Sequence, residues 1–181
     1  MKLERLFGRF RLLTKTFVTL SLRKAAKNGF MRMNEFTNDV CSNLLNRLNE
    51  IDQISLETDL DSDGYAIVED LIDRKTCSSI SGLYPADDPF RSHIHMTRHS
   101  FGTGEYKYFS YHLPKTVQTL RTKLYSKLVP IANNWNQRMN INTRFPTKHD
   151  NYLKQCHSAG QLRPTPLLLK YGAGDYNCLH Q

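Results

Sequence analysis

No apolar stretch in this chain approaches the roughly 18 to 20 residues that a bilayer-spanning helix needs, so no membrane span is expected. Cysteine is scarce. Cys41, Cys77, Cys156 and Cys178 stand far apart with no Cys-x-x-Cys, which argues against both a disulfide framework and a zinc knuckle. Unpaired cysteines suit a reducing compartment, and the expected localisation is cytoplasmic. Internal repeats and low-complexity linkers are also missing, and 181 residues suit one domain large enough to bury a core.

Acidic residues are nearly absent from the first 32 positions, where nine Lys/Arg face only Glu4. This segment alone accounts for the formal net charge of +8, and the rest balances internally. Residues 33–88 hold 3 basic and 13 acidic groups, whereas 89–181 hold 13 basic and 3 acidic ones. Such asymmetry fits either an acidic part folded against a basic one or a basic face offered to a polyanion. Leu3, Leu6, Phe7, Phe10 and Leu13 recur at helical spacing, as in targeting peptides and membrane-surface helices. Met31 and Met33 nevertheless offer internal starts. Residues 1–32 are therefore read as a basic leader, either outside the natural protein or without fixed structure, and 33–181 as the domain. A secretory signal does not fit, because charge interrupts the apolar stretch and no small-residue cleavage site follows.

From Asn34 onward the patterning is helical. Phe36, Val40, Leu44, Leu45, Leu48 and Ile51 mark one face. A short helix is expected to end at Asp59–Asp63 with Gly64 as its left-handed stop. Tyr65-Ala-Ile-Val68 reads as a compact strand, and Asp73 as the cap of a helix running to Tyr84, closed by Pro85. The longest helical pattern runs from Lys115 to Met139 with Val117, Leu120, Leu124, Leu128, Ile131 and Trp135 on a stripe expected to pack on a sheet. Pro130 predicts a kink or a join there. Thr147 is the expected cap of a last helix that Gly160 ends.

The middle of the chain holds two clusters that tempt a functional reading. His93, His95 and His99 alternate and invite a zinc site. Alternate residues on one strand point the same way without converging, and no fourth ligand is apparent, so exposed or core histidines are expected instead. Phe101-Gly-Thr-Gly-Glu-Tyr-Lys-Tyr-Phe109 lacks a full Gly-x-Gly-x-x-Gly and reads as a glycine turn entering an aromatic strand. Tyr106, Tyr108, Phe109 and Tyr111 with Arg98 and Lys107 could stack bases, but core aromatics are the expected reading.

The chain closes on Thr165-Pro-Leu-Leu-Leu169, an apolar strand, followed by Lys170-Tyr-Gly-Ala-Gly-Asp-Tyr-Asn-Cys-Leu-His-Gln181. Gly172 and Gly174 form a turn, and a second extended piece carries His180. This strand, Tyr-Gly-x-Gly turn and His resembles the entry to the metal site of iron(II)/2-oxoglutarate dioxygenases, including the prolyl 4-hydroxylases. Gly64-Tyr-Ala-Ile-Val68, Arg98 to Phe109, Pro130-Ile-Ala-Asn-Asn-Trp135 and Gly160 to Gln181 appear in order. Together they resemble a bacterial family of such oxygenases linked to oxidative demethylation of damaged DNA. The resemblance covers about residues 55 to 181.

The resemblance implies an α+β fold, with N-terminal helices followed by the first strands of a double-stranded β-helix, a jelly-roll-like barrel left incomplete here. It implies iron(II) as metal, 2-oxoglutarate as co-substrate and ascorbate as an optional reductant. His180 would be the first iron ligand, and Tyr171 would contact 2-oxoglutarate. The family's aspartate and distal histidine would complete a facial triad. Gln181 stands one residue before that aspartate should appear, so the chain reads as the N-terminal portion of the enzyme, cut short and inactive alone. Nucleic acid or a protein is the implied substrate. Two alternatives stay open, a prolyl or other protein hydroxylase and a non-enzymatic basic binding module.

Overall fold

The computed structural model describes residues 36–179, and the side chains of 42–179. The proposed leader, residues 1–32, and His180 lie outside the described residues. The chain divides into two compact units, one helical and one built on a sheet. The expected α+β class holds: helices accompany a three-stranded antiparallel sheet.

The helical unit contains α1 (Phe36–Asn49), α2 (Gln53–Ser62), α4 (Lys115–Arg138) and α5 (His149–Ser158). Its core is the expected stripe of α1, with Leu44, Leu48 and Ile51 buried against Leu56, Leu120 and Leu124. At about 1.5–3 kcal/mol per buried aliphatic side chain, this seam dominates the unit's stability. Asp52 caps α2 by accepting from the Ile54 amide at 2.9 Å, and Gly64, at φ +76°, follows the helix as expected. The Lys127 ammonium donates to the carbonyls of Asn49 and Ile51, satisfying acceptors left open past the end of α1.

Four expectations are revised in this unit. Tyr65–Val68 is not a strand; Tyr65 and Ile67 are exposed, while Val68 packs on the helical core. Its apolar alternation reflects one docking side chain, not a pleat. The α4 stripe packs on α1 and α5, so within this unit it is helices that cover it. Pro130 lies inside a continuous α4, beside fully buried Ile131, so of the expected kink or join the join between two helices is ruled out, and the helix absorbs one missing backbone bond. Thr147 also does not cap α5. Lys148 occupies that position without a side-chain bond.

The helix α3 (Arg74–Ser81) starts where expected, with the Asp73 carboxylate accepting from the Thr76 amide at 2.6 Å, but stops short of Tyr84. That bond holds the Asp73 carboxyl below its ordinary range. Asp73→Ala should lower stability by about 1 kcal/mol at neutral pH, read as a drop in the urea midpoint at unchanged slope.

The sheet unit carries β1 (Phe90–His95), β2 (Glu105–Phe109) and β3 (Leu167–Lys170) in the order β1-β2-β3. Register pairs His95 with Glu105, His93 with Lys107, Glu105 with Lys170 and Lys107 with Leu168. Alternation therefore puts His93, His95, Glu105, Lys107, Phe109 and Lys170 on one face, and Ile94, Tyr106, Tyr108 and Leu169 on the other. An irregularity between Phe90 and Ser92 turns Phe90 onto Phe109, ring centroids 4.7 Å apart.

Candidate functional site

The terminal motif is held largely through its backbone groups, bonded to other backbone groups and to the Asp175 and Thr103 side chains. After β3 the chain turns through Gly172–Asp175; the Asp175 amide bonds the Gly172 carbonyl and the Asp175 carboxylate accepts from the Gly172 amide at 2.7 Å. The following segment runs back along 101–103. The Thr103 amide donates to the Tyr176 carbonyl, the Cys178 amide to the Phe101 carbonyl, and the Tyr176 amide to the Thr103 hydroxyl. Asn177 forms a bridge with Gly102. The expected strand, glycine turn and second extended piece are all present. The motif thus reaches Leu179 alongside the loop between β1 and β2.

Tyr171 follows β3 directly, and its ring lies against Gly104, where an added Cβ would meet it at 2.8 Å. Gly104, at φ +109°, supplies the flat floor that the ring needs. Burial of the ring, and then the nearby Asp175 carboxylate, raise the Tyr171 phenol above its ordinary pKa. Tyr171 is therefore a neutral hydroxyl at physiological pH, with its side of the ring open to solvent.

Among the described residues, one set of His, Cys, Asp or Glu side chains brings three donor atoms within 4.8 Å of one another: His93, His95 and Glu105. This corrects the expectation of non-converging histidines. The two imidazole rings stand 4.4 Å apart, and the third donor comes from the neighbouring strand rather than from His99. Glu105 Oε2 lies 2.6 Å from His93 Nε2 and 3.7 Å from His95 Nδ1, while Oε1 accepts from Lys170 Nζ at 2.6 Å. Hydrogen bonding from Lys170, then from His93, outweighs burial and holds the Glu105 carboxyl below its ordinary range. Tyr84 meets His93 edge-on, and its hydroxyl is buried with no hydrogen-bond partner among the described residues. Burial, with the Glu105 charge adding to it, pushes that phenol up to about 12. No local motif signals this set, because Glu105 sits ten residues from His95 and reaches it only through strand register.

The base-stacking reading of 98–111 is only partly available. Phe109 is buried, as expected of a core aromatic, and so is Lys107, whose ammonium bonds the Ala86 carbonyl and Asp87 and sits over the Tyr84 and Phe90 rings. Arg91 stacks on Tyr108, its guanidinium carbon 4.4 Å from the ring centre. In the helical unit, the concave surface beside Val68 is lined by Glu50, Asp52, Asp59, Glu69 and Asp70 with Arg47, an acidic lining that does not suit a polyanion.

Sequence comparison meets this geometry at the sheet and its terminal motif. Residues 104–181, from the glycine before β2 to the chain end, match the model of a family described as an oxygenase catalysing oxidative methylation of damaged DNA. Two uncharacterized proteins from two strains of Mycobacterium tuberculosis are each 45% identical over 69 residues. These matches cover 38% of this chain and 30% of each relative, so the chain spans under a third of the proteins it resembles. No solved structure matches the chain. Among the described residues, no helix is long and apolar enough to cross a membrane.

Proposed function

We propose that residues 33–181 are the N-terminal part of an iron(II)/2-oxoglutarate-dependent dioxygenase that hydroxylates C–H bonds on damaged, N-methylated nucleic acid in the cytoplasm. The observation that carries this reading is the oxygenase-family match over 104–181, which ends on the Tyr171–His180 motif. His180 is the proposed first iron ligand and Tyr171 the proposed contact to 2-oxoglutarate, with ascorbate as an accessory reductant. The described residues around Tyr171 do not assemble a ligand set for iron by themselves, and the remaining ligands belong in this reading to sequence beyond Gln181. No catalytic step is therefore assigned to the described side chains. With iron bound, the site would use dioxygen as oxidant, one oxygen atom going to 2-oxoglutarate as it becomes succinate and CO2 and the other to an N-methyl C–H bond, and the resulting N-hydroxymethyl group would break down to the demethylated base and formaldehyde. The sheet β1-β2-β3 would be the opening edge of a double-stranded β-helix.

The test uses the chain extended by its natural downstream coding sequence through the distal histidine. With iron(II), 2-oxoglutarate and an N-methylated single-stranded oligonucleotide, it should release succinate and formaldehyde in equal amounts. The His180→Ala variant should lose at least about 100-fold in rate, since disturbing even the residues behind metal ligands costs 10- to 100-fold. Succinate without formaldehyde would favour a protein hydroxylase. No 2-oxoglutarate turnover at all would leave the basic binding module as the reading.

A further inference from the structure

The sheet carries a convergent set of metal-ligand side chains that includes neither Tyr171 nor His180. We propose that His93, His95 and Glu105 bind one borderline first-row divalent cation, with Zn²⁺ as the representative ion, and so clip β1 to β2. The proposal does not rest on the oxygenase reading, because it uses none of the residues assigned there.

The donor set suits such an ion. Two imidazole nitrogens and one carboxylate oxygen favour zinc, cobalt or nickel over calcium or magnesium, which prefer all-oxygen shells. Bond lengths of about 2.0–2.2 Å to each donor mean that donors on one ion sit roughly 3 to 3.5 Å apart. The three ligand atoms here lie within 4.8 Å of one another, with Glu105 Oε2 already 2.6 and 3.7 Å from the two nitrogens. The backbone is fixed by register, since His95 and Glu105 are directly paired and His93 is the next residue on the same face.

The surroundings favour an ion over a plain charge network. Lys170 takes only Oε1 of Glu105, leaving Oε2 turned toward both histidines. A cation on one carboxylate oxygen that aims the other is how outer partners orient metal ligands. The histidine side chains are 38% and 44% exposed, so an ion can enter and keep water on its remaining positions. The buried, partnerless Tyr84 hydroxyl belongs to the ring that packs edge-on against His93. A buried hydroxyl without a partner, on a ring in contact with one of the proposed ligands, is an observation that a hydrogen-bonded shell around an ion would account for.

The experiment titrates the metal-free 181-residue chain with Zn²⁺ alone and reads bound zinc after equilibrium dialysis, with Co²⁺ absorption as a second signal. One equivalent should bind, and saturation should raise the Tm by about 5 °C or more at a hundredfold excess over Kd. Glu105→Gln and His95→Ala should each weaken binding at least tenfold, whereas His180→Ala should leave it unchanged. If the hairpin variants misfold, imidazole ¹⁵N shifts in the unmutated chain decide: both His93 and His95 should move on adding Zn²⁺. Binding that survives Glu105→Gln, binding lost in His180→Ala, or imidazoles unmoved at saturation would each overturn the proposal. None of these outcomes bears on 2-oxoglutarate turnover by the extended chain, so the two readings fail separately.

Discussion

Replacing Gly102 with alanine is expected to detach residues 176–178 from the sheet unit while β1, β2 and β3 stay paired. Gly102 sits at φ +114°, a region essentially closed to residues with a Cβ, and holding one there costs about 1–3 kcal/mol. Space is also lacking. A Cβ would fall 2.3 Å from the Tyr176 carbonyl oxygen and 3.1 Å from both the Asn177 Cα and the Cys178 nitrogen, all backbone atoms that cannot swing aside. Relief requires the terminal segment to move out. That breaks the bonds from the Thr103, Cys178 and Tyr176 amides, at about 1 kcal/mol each. The local penalty therefore reaches roughly 3–5 kcal/mol. Tyr176 is 58% exposed and Leu179 fully so, which means that little buried surface resists the opening. Local detachment should then be easier than global unfolding. Hydrogen exchange at the Thr103, Tyr176 and Cys178 amides should accelerate by about 100-fold or more, since each 1.4 kcal/mol is a factor of ten. The Tm should fall only slightly. Gly64→Ala is the contrast: it also has positive φ but nothing within 4 Å, so only about 1 kcal/mol is expected. Unchanged exchange at the three amides in Gly102→Ala would mean that the motif is held by something other than this backbone bridge.

What could be read in advance divides along the same physical line. Local patterns were legible, because a helix advertises its buried stripe through spacing. Leu44, Leu48 and Ile51 were found that way, and Asp73 and Gly64 announced a start and a stop by their own chemistry. The glycine turn before β2 and the apolar β3 were likewise visible. Partner identity was not. The α4 stripe reads the same whether a sheet or a helix covers it, and Tyr65–Val68 has the composition of a strand but no strand to pair with. Thr147 has the chemistry of a cap, yet the chain enters α5 one residue later. The clearest case is Glu105. Its place beside His93 and His95 depends on a nine-residue connection returning the chain in one particular antiparallel register, which no spacing rule supplies. Within the terminal motif, sequence gave the turn and Tyr171, whereas the role of Gly102 in docking it appears only when residues 102 and 177 are seen together.

Stability of the helical unit should fall as pH is lowered from 6.5 toward 4, and His149 should be the main cause. This side chain on α5 is 6% exposed, with Nδ1 3.3 Å from the Thr122 hydroxyl and its ring 5.0 Å from that of Tyr125. Burial first, and the Arg121 charge second, push its pKa down to about 4 against the ordinary 6.5, with Asp150 opposing weakly. Between those two values the unfolded chain holds a proton that the folded chain refuses. Stability therefore rises with pH across this window, is fully present above pH 6.5 and is lost progressively down to pH 4. At about 1.4 kcal/mol per pH unit of displacement, the loss amounts to about 2–3 kcal/mol, a large part of a domain's 5–15 kcal/mol. Carboxylates held low, such as Asp73, also destabilise in acid, but they do so only as pH falls through and below their ordinary 3.8. Glu105, held low from an ordinary 4.5, and the low aspartates begin to contribute only toward the acid end, so the upper part of the window, down to about pH 5.5, isolates the histidine. Urea unfolding followed by the fluorescence of Trp135, the single tryptophan and a residue of α4 in the same unit, should show the decline. His149→Gln keeps a group able to bond Thr122 but cannot titrate. It should cost about 1 kcal/mol at pH 7, yet flatten the dependence, so that variant and native chain converge near pH 5. A variant whose stability fell just as steeply between pH 6.5 and 4 would show that the acid sensitivity arises elsewhere, and that His149 accepts its proton without leaving the core.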